Sequence, residues 1–113
     1  MTTLPTFIDW DVISPRPLAP GVTIRIFSSE QVMLSLVDLE PGAVVVLHQH
    51  PHEQFGIWLA GDAEATIGDS RRSVRVGDCY YIPGGTLHTF VAGPNGGRAL
   101  DVFNPPREDY LTL

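Results

Sequence analysis

Gly42-Ala43-Val44-Val45-Val46-Leu47-His48-Gln49-His50-Pro51-His52-Glu53-Gln54 is the stretch on which the fold and the chemistry of this chain turn. His48, His50 and Gln54 stand at positions of equal parity, so an extended backbone projects them to one face. Pro51 interrupts the segment and bends it, returning Gln54 toward the histidine pair. The apolar run Ala43 to Leu47 predicts a strand covered on both faces. The block closes at Gly61, and after fifteen residues a second begins: Gly77-x5-Pro83-x-Gly85-x2-His88. Its Pro83-Gly84-Gly85 turn delivers His88 from another strand. Three imidazoles and one amide then converge as neutral donors for a divalent cation, and imidazole suits Zn, Ni, Fe, Cu or Mn. One isolated histidine in an apolar strand reads as a satisfied core residue; the spacing of the set is what points to a metal.

The rest of the chain reads as all-β. Gly and Pro supply 21 of 113 residues. From Pro41 onward they punctuate segments of four to nine residues rich in Val, Ile, Phe and Tyr, the signature of a sandwich or barrel with little room for helix. Ala63-Glu64-Ala65-Thr66-Ile67 and Val74-Arg75-Val76 alternate, which predicts apolar side chains inward, and Gly68-Asp69 between them predicts a hairpin. Pro5, Pro15, Pro17 and Pro20 make residues 1–21 an arm along a sheet edge rather than a central strand.

A chain of 113 residues and 12.4 kDa fits one domain, residues 1–113, burying roughly 65% of the surface its unfolded form exposes. Thirteen acidic against seven basic residues give a formal charge of -6, which repels phosphate backbones and anionic membranes and disfavours nucleic acid as a partner. The single cysteine, Cys79, forms no internal disulfide and reads as a small buried hydrophobe among aromatic neighbours. With no export signal and no membrane span in the sequence, a cytoplasmic protein is expected.

The blocks at residues 42–61 and 77–92 resemble the two motifs of the cupin family. The resemblance implies a double-stranded β-helix, or jelly-roll barrel, with one divalent metal (Zn, Ni, Mn or Fe) held by His48, His50, Gln54 and His88. Two positions depart from the family pattern: Gln54 stands where Glu is usual, and Ala92 where Asn is frequent. Three imidazoles and an amide leave the cation its full charge, which favours Lewis-acid chemistry over the two-His-one-carboxylate oxygen chemistry of non-haem iron. Glu53 is the alternative fourth donor, but its parity points it away. His52 shares the ligand parity, yet directly follows Pro51 and reads as a surface or supporting residue.

Downstream, Asp101-Val102-Phe103-Asn104-Pro105-Pro106-Arg107 puts Asp101 and Phe103 on one face of a last strand. Taken with His48 to Gln54, this stretch resembles a narrower cupin group, the pectin degradation proteins that linearise 4,5-unsaturated monouronates. That resemblance implies Asp101 as the catalytic acid or base, Phe103 and Arg107 as substrate contacts, a small-molecule substrate and a homodimer. Trp58, of the same parity as Gln54, either lines the cavity, as a third substrate contact beside Phe103 and Arg107, or packs the core. Of Tyr80 and Tyr81 only one faces inward, and neither is given a catalytic role. Two other functions remain open at this point: a cupin dioxygenase dependent on iron or copper, and a non-catalytic binding protein whose metal recognises a metabolite.

Overall fold

In the computed structural model residues 3–113 are described; Met1 and Thr2 of the N-terminal arm lie outside the described residues. Eight strands follow in order: β1 (Arg16–Ala19), β2 (Val22–Ser28), β3 (Met33–Leu39), β4 (Val44–His48), β5 (Glu53–Ile67), β6 (Ser70–Arg75), β7 (Cys79–Ile82) and β8 (His88–Asn104). A short helix, α1 (Glu108–Leu111), follows. The sheet runs β1-β2-β3-β8-β5-β6, with β4 added to β8 and β7 added to β5, and every pairing is antiparallel. The fold is the all-β jelly roll that the sequence predicts. β1, within the proline-rich segment, stands at the end of the strand order, and Gly68-Asp69 closes the β5–β6 hairpin.

Two strands are far longer than the four to nine residues expected. β5 has 15 residues and β8 has 17, and both run straight through glycines that read as turns. Gly61 and Gly96 have φ of 65° and 70°, and the β5–β8 register slips at Trp58/Ala60 and Gly61/Ala63. A Cβ on Gly61 would lie 2.0 Å from the Gly96 carbonyl oxygen. The glycines therefore bend two continuous strands where their backbones cross, instead of ending them. Below the bend β5 pairs with β7 and the C-terminal half of β8; above it, with β6 and the N-terminal half. One long antiparallel strand pair thus spans both halves of the barrel.

The core contains Val22, Ile24, Met33, Leu39, Trp58, Ala63, Ala65, Val74, Ile82, Phe90 and Phe103. Ala63, Ala65 and Val74 point inward as the alternation predicts, but Val76 is 66% exposed, because β6 ends at Arg75 before the Gly77 turn. Cys79 is exposed, correcting its predicted burial. Tyr80 and Ile82 take the inward positions of β7, so Cys79 and Tyr81 face out; strand parity, not aromatic neighbours, decides.

The expected two-sided cover of Ala43 to Leu47 is also corrected: Val46 and Leu47 are 66% and 60% exposed. β4 pairs only with β8, and it carries one extra residue there, since Val45 opposes Phe90 while His48 opposes His88. Val46 and Leu47 are squeezed out together by this bulge. Its consequence is functional: the extra residue turns His48, rather than Leu47, inward beside His88.

Candidate metal centre

Three elements supply the histidines. His48 ends β4, His88 opens β8 directly opposite, and His50 lies in the two-residue link before the bend at Pro51-His52. That link is anchored by the second block: the Gly85 amide donates to the His50 carbonyl at 2.8 Å. A Cβ on Gly84 would stand 2.3 Å from the Pro51 carbonyl oxygen, so glycine at 84 lets the two blocks touch. The bend then turns the chain into β5, where Gln54 faces inward opposite Phe103 and Ile82. Gln54 is 4% exposed, whereas Glu53 faces out and accepts from the Tyr81 hydroxyl at 3.2 Å. Parity separates these neighbours as expected.

Ligand atoms of His48, His50 and His88 all lie within 4.8 Å of one another. In each ring Nδ1 faces a backbone carbonyl: Val46 at 2.8 Å for His48, His52 at 3.1 Å for His50, Thr86 at 2.8 Å for His88. A carbonyl only accepts, so each Nδ1 carries the proton and each Nε2 presents a lone pair. His88 Nε2 is buried without a hydrogen-bond partner. Burial lowers the His88 pKa to about 4 and, with the Arg107 charge, lowers that of His50, so both rings are neutral at pH 7.

Gln54 Oε1 stands 3.0 Å from His50 Nε2. The Gln54 amide lowers the pKa of Asp101, so its NH2 is the end turned toward that carboxylate and its oxygen the end turned toward His50. Two acceptors therefore face each other at hydrogen-bond distance, the arrangement of two donors to one cation. The residues fit a divalent metal: three Nε2 lone pairs, one an orphan in the interior, and an amide oxygen beside them. Fixed Nδ1 partners orient the rings in the manner of metal-ligating histidines. His52 supports His50 through its carbonyl and is itself buried, its Nε2 3.5 Å from Glu108 Oε2 of α1.

Asp101 adjoins this group. It accepts from the Tyr80 hydroxyl at 2.5 Å and lies opposite Gly56 in the β5–β8 ladder. Burial raises its pKa to about 6, against the lowering influence of the Tyr80 and Gln54 hydrogen bonds and the Arg107 charge. A cavity of about 30 Å³, room for roughly one water, is walled by His48, His88, Trp58, Tyr80, Asp101 and Tyr110 among others. Trp58, for which cavity lining and core packing were alternatives, is 1% exposed in the core and also borders the cavity.

Phe103 is buried under His50, ring centroids 5.5 Å apart, and is not on that wall. Arg107 is 7% exposed; its guanidinium lies 3.8 Å over the Tyr110 ring and is bidentate to Asp109 at 2.8 and 3.3 Å. Tyr80 is the contact that sequence reading passed over. Its inward position follows only from the register of β7 on β5, which the sequence does not print.

Residues 35–103 match the Cupin domain family. The chain belongs to the cupin family. It is 31% identical to the pectin degradation protein KdgF of Dickeya dadantii over 107 residues, covering 93% of this chain and 96% of that protein. The solved structure of KdgF from Halomonas sp. superposes with a TM-score of 0.87 at 29% identity, covering 93% of this cupin and 99% of that chain. An RmlC-like cupin from Shewanella frigidimarina shares the fold with a TM-score of 0.88 at 22% identity, covering 97% and 99% of the two chains. Among the described residues of this cupin, no helix is long and apolar enough to cross a membrane.

Proposed function

We propose that this cupin opens the ring of a 4,5-unsaturated monouronate, converting it to the linear keto sugar with one divalent metal held by His48, His50, His88 and Gln54. The observation that carries this reading is the His48, His50 and His88 cluster, its ligand atoms within 4.8 Å of one another, with Gln54 Oε1 3.0 Å from His50 Nε2 and the buried Asp101 carboxylate on the same cavity wall as His48 and His88. Similarity to KdgF over nearly the whole of both chains supports the choice of substrate. A divalent ion bound there supplies Lewis acidity toward substrate oxygens.

The reaction is an isomerisation in which atoms and electrons balance within the sugar. Asp101 accepts the proton of the anomeric hydroxyl as the C1–O5 bond breaks, leaving an aldehyde at C1 and an enolate oxygen at C5. Return of a proton to C4 then moves the C4=C5 electron pair and leaves a ketone at C5. A buried carboxylate suits this transfer, because burial brings its pKa up to about 6, where it can both take and return a proton near neutral pH.

Arg107 binds the sugar carboxylate in the same bidentate manner in which it now holds Asp109. The Asp109 side chain is 61% exposed, so water receives it when substrate takes its place. The present cavity is too small for a six-carbon sugar, so part of its wall must give way to admit one, and our candidate is α1, which carries Tyr110 of that wall. It spans four residues, and its side-chain ties include Arg107–Asp109 and His52–Glu108.

Proton NMR of metal-loaded protein with 4,5-unsaturated galacturonate tests the reading: the vinylic C4 proton signal is replaced by that of a linear ketone faster than in buffer. An unchanged spectrum beyond the spontaneous rate rejects it. Gln54→Glu is expected to bind metal more tightly yet turn over at least tenfold more slowly. Glutamate cancels one charge of the cation, removes the amide donor to Asp101 and sets a second carboxylate against it. Metal competition with a chelator and steady-state kinetics measure the two effects.

A further inference from the structure

We infer that Tyr80 is the positioning residue for Asp101, and that Gly56 is glycine so that the Tyr80 phenol can reach it. The inference rests on the uronate reading above.

Gly56 lies in β5 with Tyr80 opposite it on β7 and Asp101 opposite it on β8. Tyr80 and Asp101 are thus two strands apart, about 9.5 Å between backbones at the usual strand spacing. An aspartate side chain covers only a small part of that gap. The Tyr80 side chain covers the rest by lying flat across Gly56, and its hydroxyl donates to Asp101 Oδ1 at 2.5 Å. A Cβ built on Gly56 would stand 2.2 Å from Tyr80 Cζ and 2.4 Å from its hydroxyl oxygen. No side chain at position 56 is compatible with the phenol where it is. Phe90 holds the ring from the side, centroids 5.0 Å apart.

The row across the sheet is completed by Ser35, which pairs with Asp101 from β3, but the Ser35 hydroxyl makes no hydrogen bond. Tyr80 is therefore the side chain in hydrogen-bond contact with the carboxylate, while Gln54, two residues before Gly56 on β5, turns its amide toward it. Gln54 is committed to the donor set through its oxygen; Tyr80 is free of other partners and serves Asp101 alone. Without it the carboxylate is buried with one donor fewer and its plane is no longer fixed.

Tyr80→Phe separates orientation from packing, since phenylalanine keeps the ring and its contact with Phe90 and removes only the donor. We expect kcat on 4,5-unsaturated galacturonate to fall about 10- to 100-fold, the range typical of a supporting hydrogen bond at a catalytic centre, with KM within about twofold of wild type. Metal stoichiometry and the far-ultraviolet circular dichroism spectrum stay those of wild type. Gly56→Ala displaces the phenol and lowers kcat in the same way. The double variant loses little more than Tyr80→Phe alone, because both changes break one hydrogen bond.

A Tyr80→Phe protein with wild-type kcat, in a series where Asp101→Asn is crippled, overturns the assignment and leaves the uronate reading intact. A loss confined to KM overturns it too. Metal-loaded wild type that is no faster than the spontaneous reaction removes both.

Discussion

Asp101→Asn is expected to lower kcat by about 10²- to 10⁴-fold, the contribution usual for a general acid–base group, while the protein keeps its metal. Asparagine preserves the volume of a side chain that is 9% exposed, so the barrel has no cavity to fill. Its amide oxygen still accepts from Tyr80, but it is no base and carries no proton to return to C4. Asp101 itself is not among the three histidines whose ligand atoms converge, and Gln54 stands between it and His50. Metal content by mass spectrometry and kcat by absorbance therefore separate in this variant. A variant that loses metal and activity in proportion would place Asp101 in the donor set instead.

His88→Ala is expected to do the opposite, losing stoichiometric metal and all activity that depends on it. His88 is 1% exposed and supplies the one Nε2 among the three that is buried with no partner, so no solvent or side chain at hand replaces it. The effect is readable without any substrate. A ligand that binds only the folded state stabilises it by about 2.7 kcal/mol at a free concentration of 100 times Kd. Added metal should raise the melting temperature of wild type, and the His88→Ala protein should show no such rise. His88→Gln, which retains an amide donor like that of Gln54, should recover part of it. An undiminished response in His88→Ala would remove His88 from the metal site.

The donor set was legible because it depends on local spacing. His-x-His on extended chain, a proline bend, and a glycine-proline frame before His88 each act over a few residues, and Gln54 separates from Glu53 by parity alone. What parity does not supply is a count of bulges. The extra residue in β4 leaves Val46 and Leu47 outside and still turns His48 in, so the apolar run that suggested a doubly covered strand is in fact an exposed edge. Gly61 and Gly96 depart from the expected short segments for a related reason. A positive-φ glycine looks the same in sequence whether it ends a strand or bends one, and only the long-range pairing of β5 with β8, Gly61 opposite Gly97, decides.

Long-range register also hid the surroundings of Asp101. That Asp101, Gly56 and Tyr80 form one row follows from β8, β5 and β7 lying side by side, which no short motif encodes. Arg107 shows the same limit from the other direction. In sequence it stands after Pro105-Pro106, where a chain normally frays, yet α1 folds back to stack Tyr110 on its guanidinium and bury it.

The central claim is that a metal-loaded His48, His50, His88 and Gln54 site works with Asp101 to open an unsaturated uronate without redox chemistry. Its most direct test follows the ultraviolet absorbance of the C4=C5 bond of 4,5-unsaturated galacturonate under strict anaerobiosis, with protein stripped of metal and then reloaded with zinc or nickel. The account predicts loss of absorbance well above the spontaneous rate after reloading, and a return to the spontaneous rate on stripping. Turnover that needs oxygen, or that is indifferent to the metal, would contradict it.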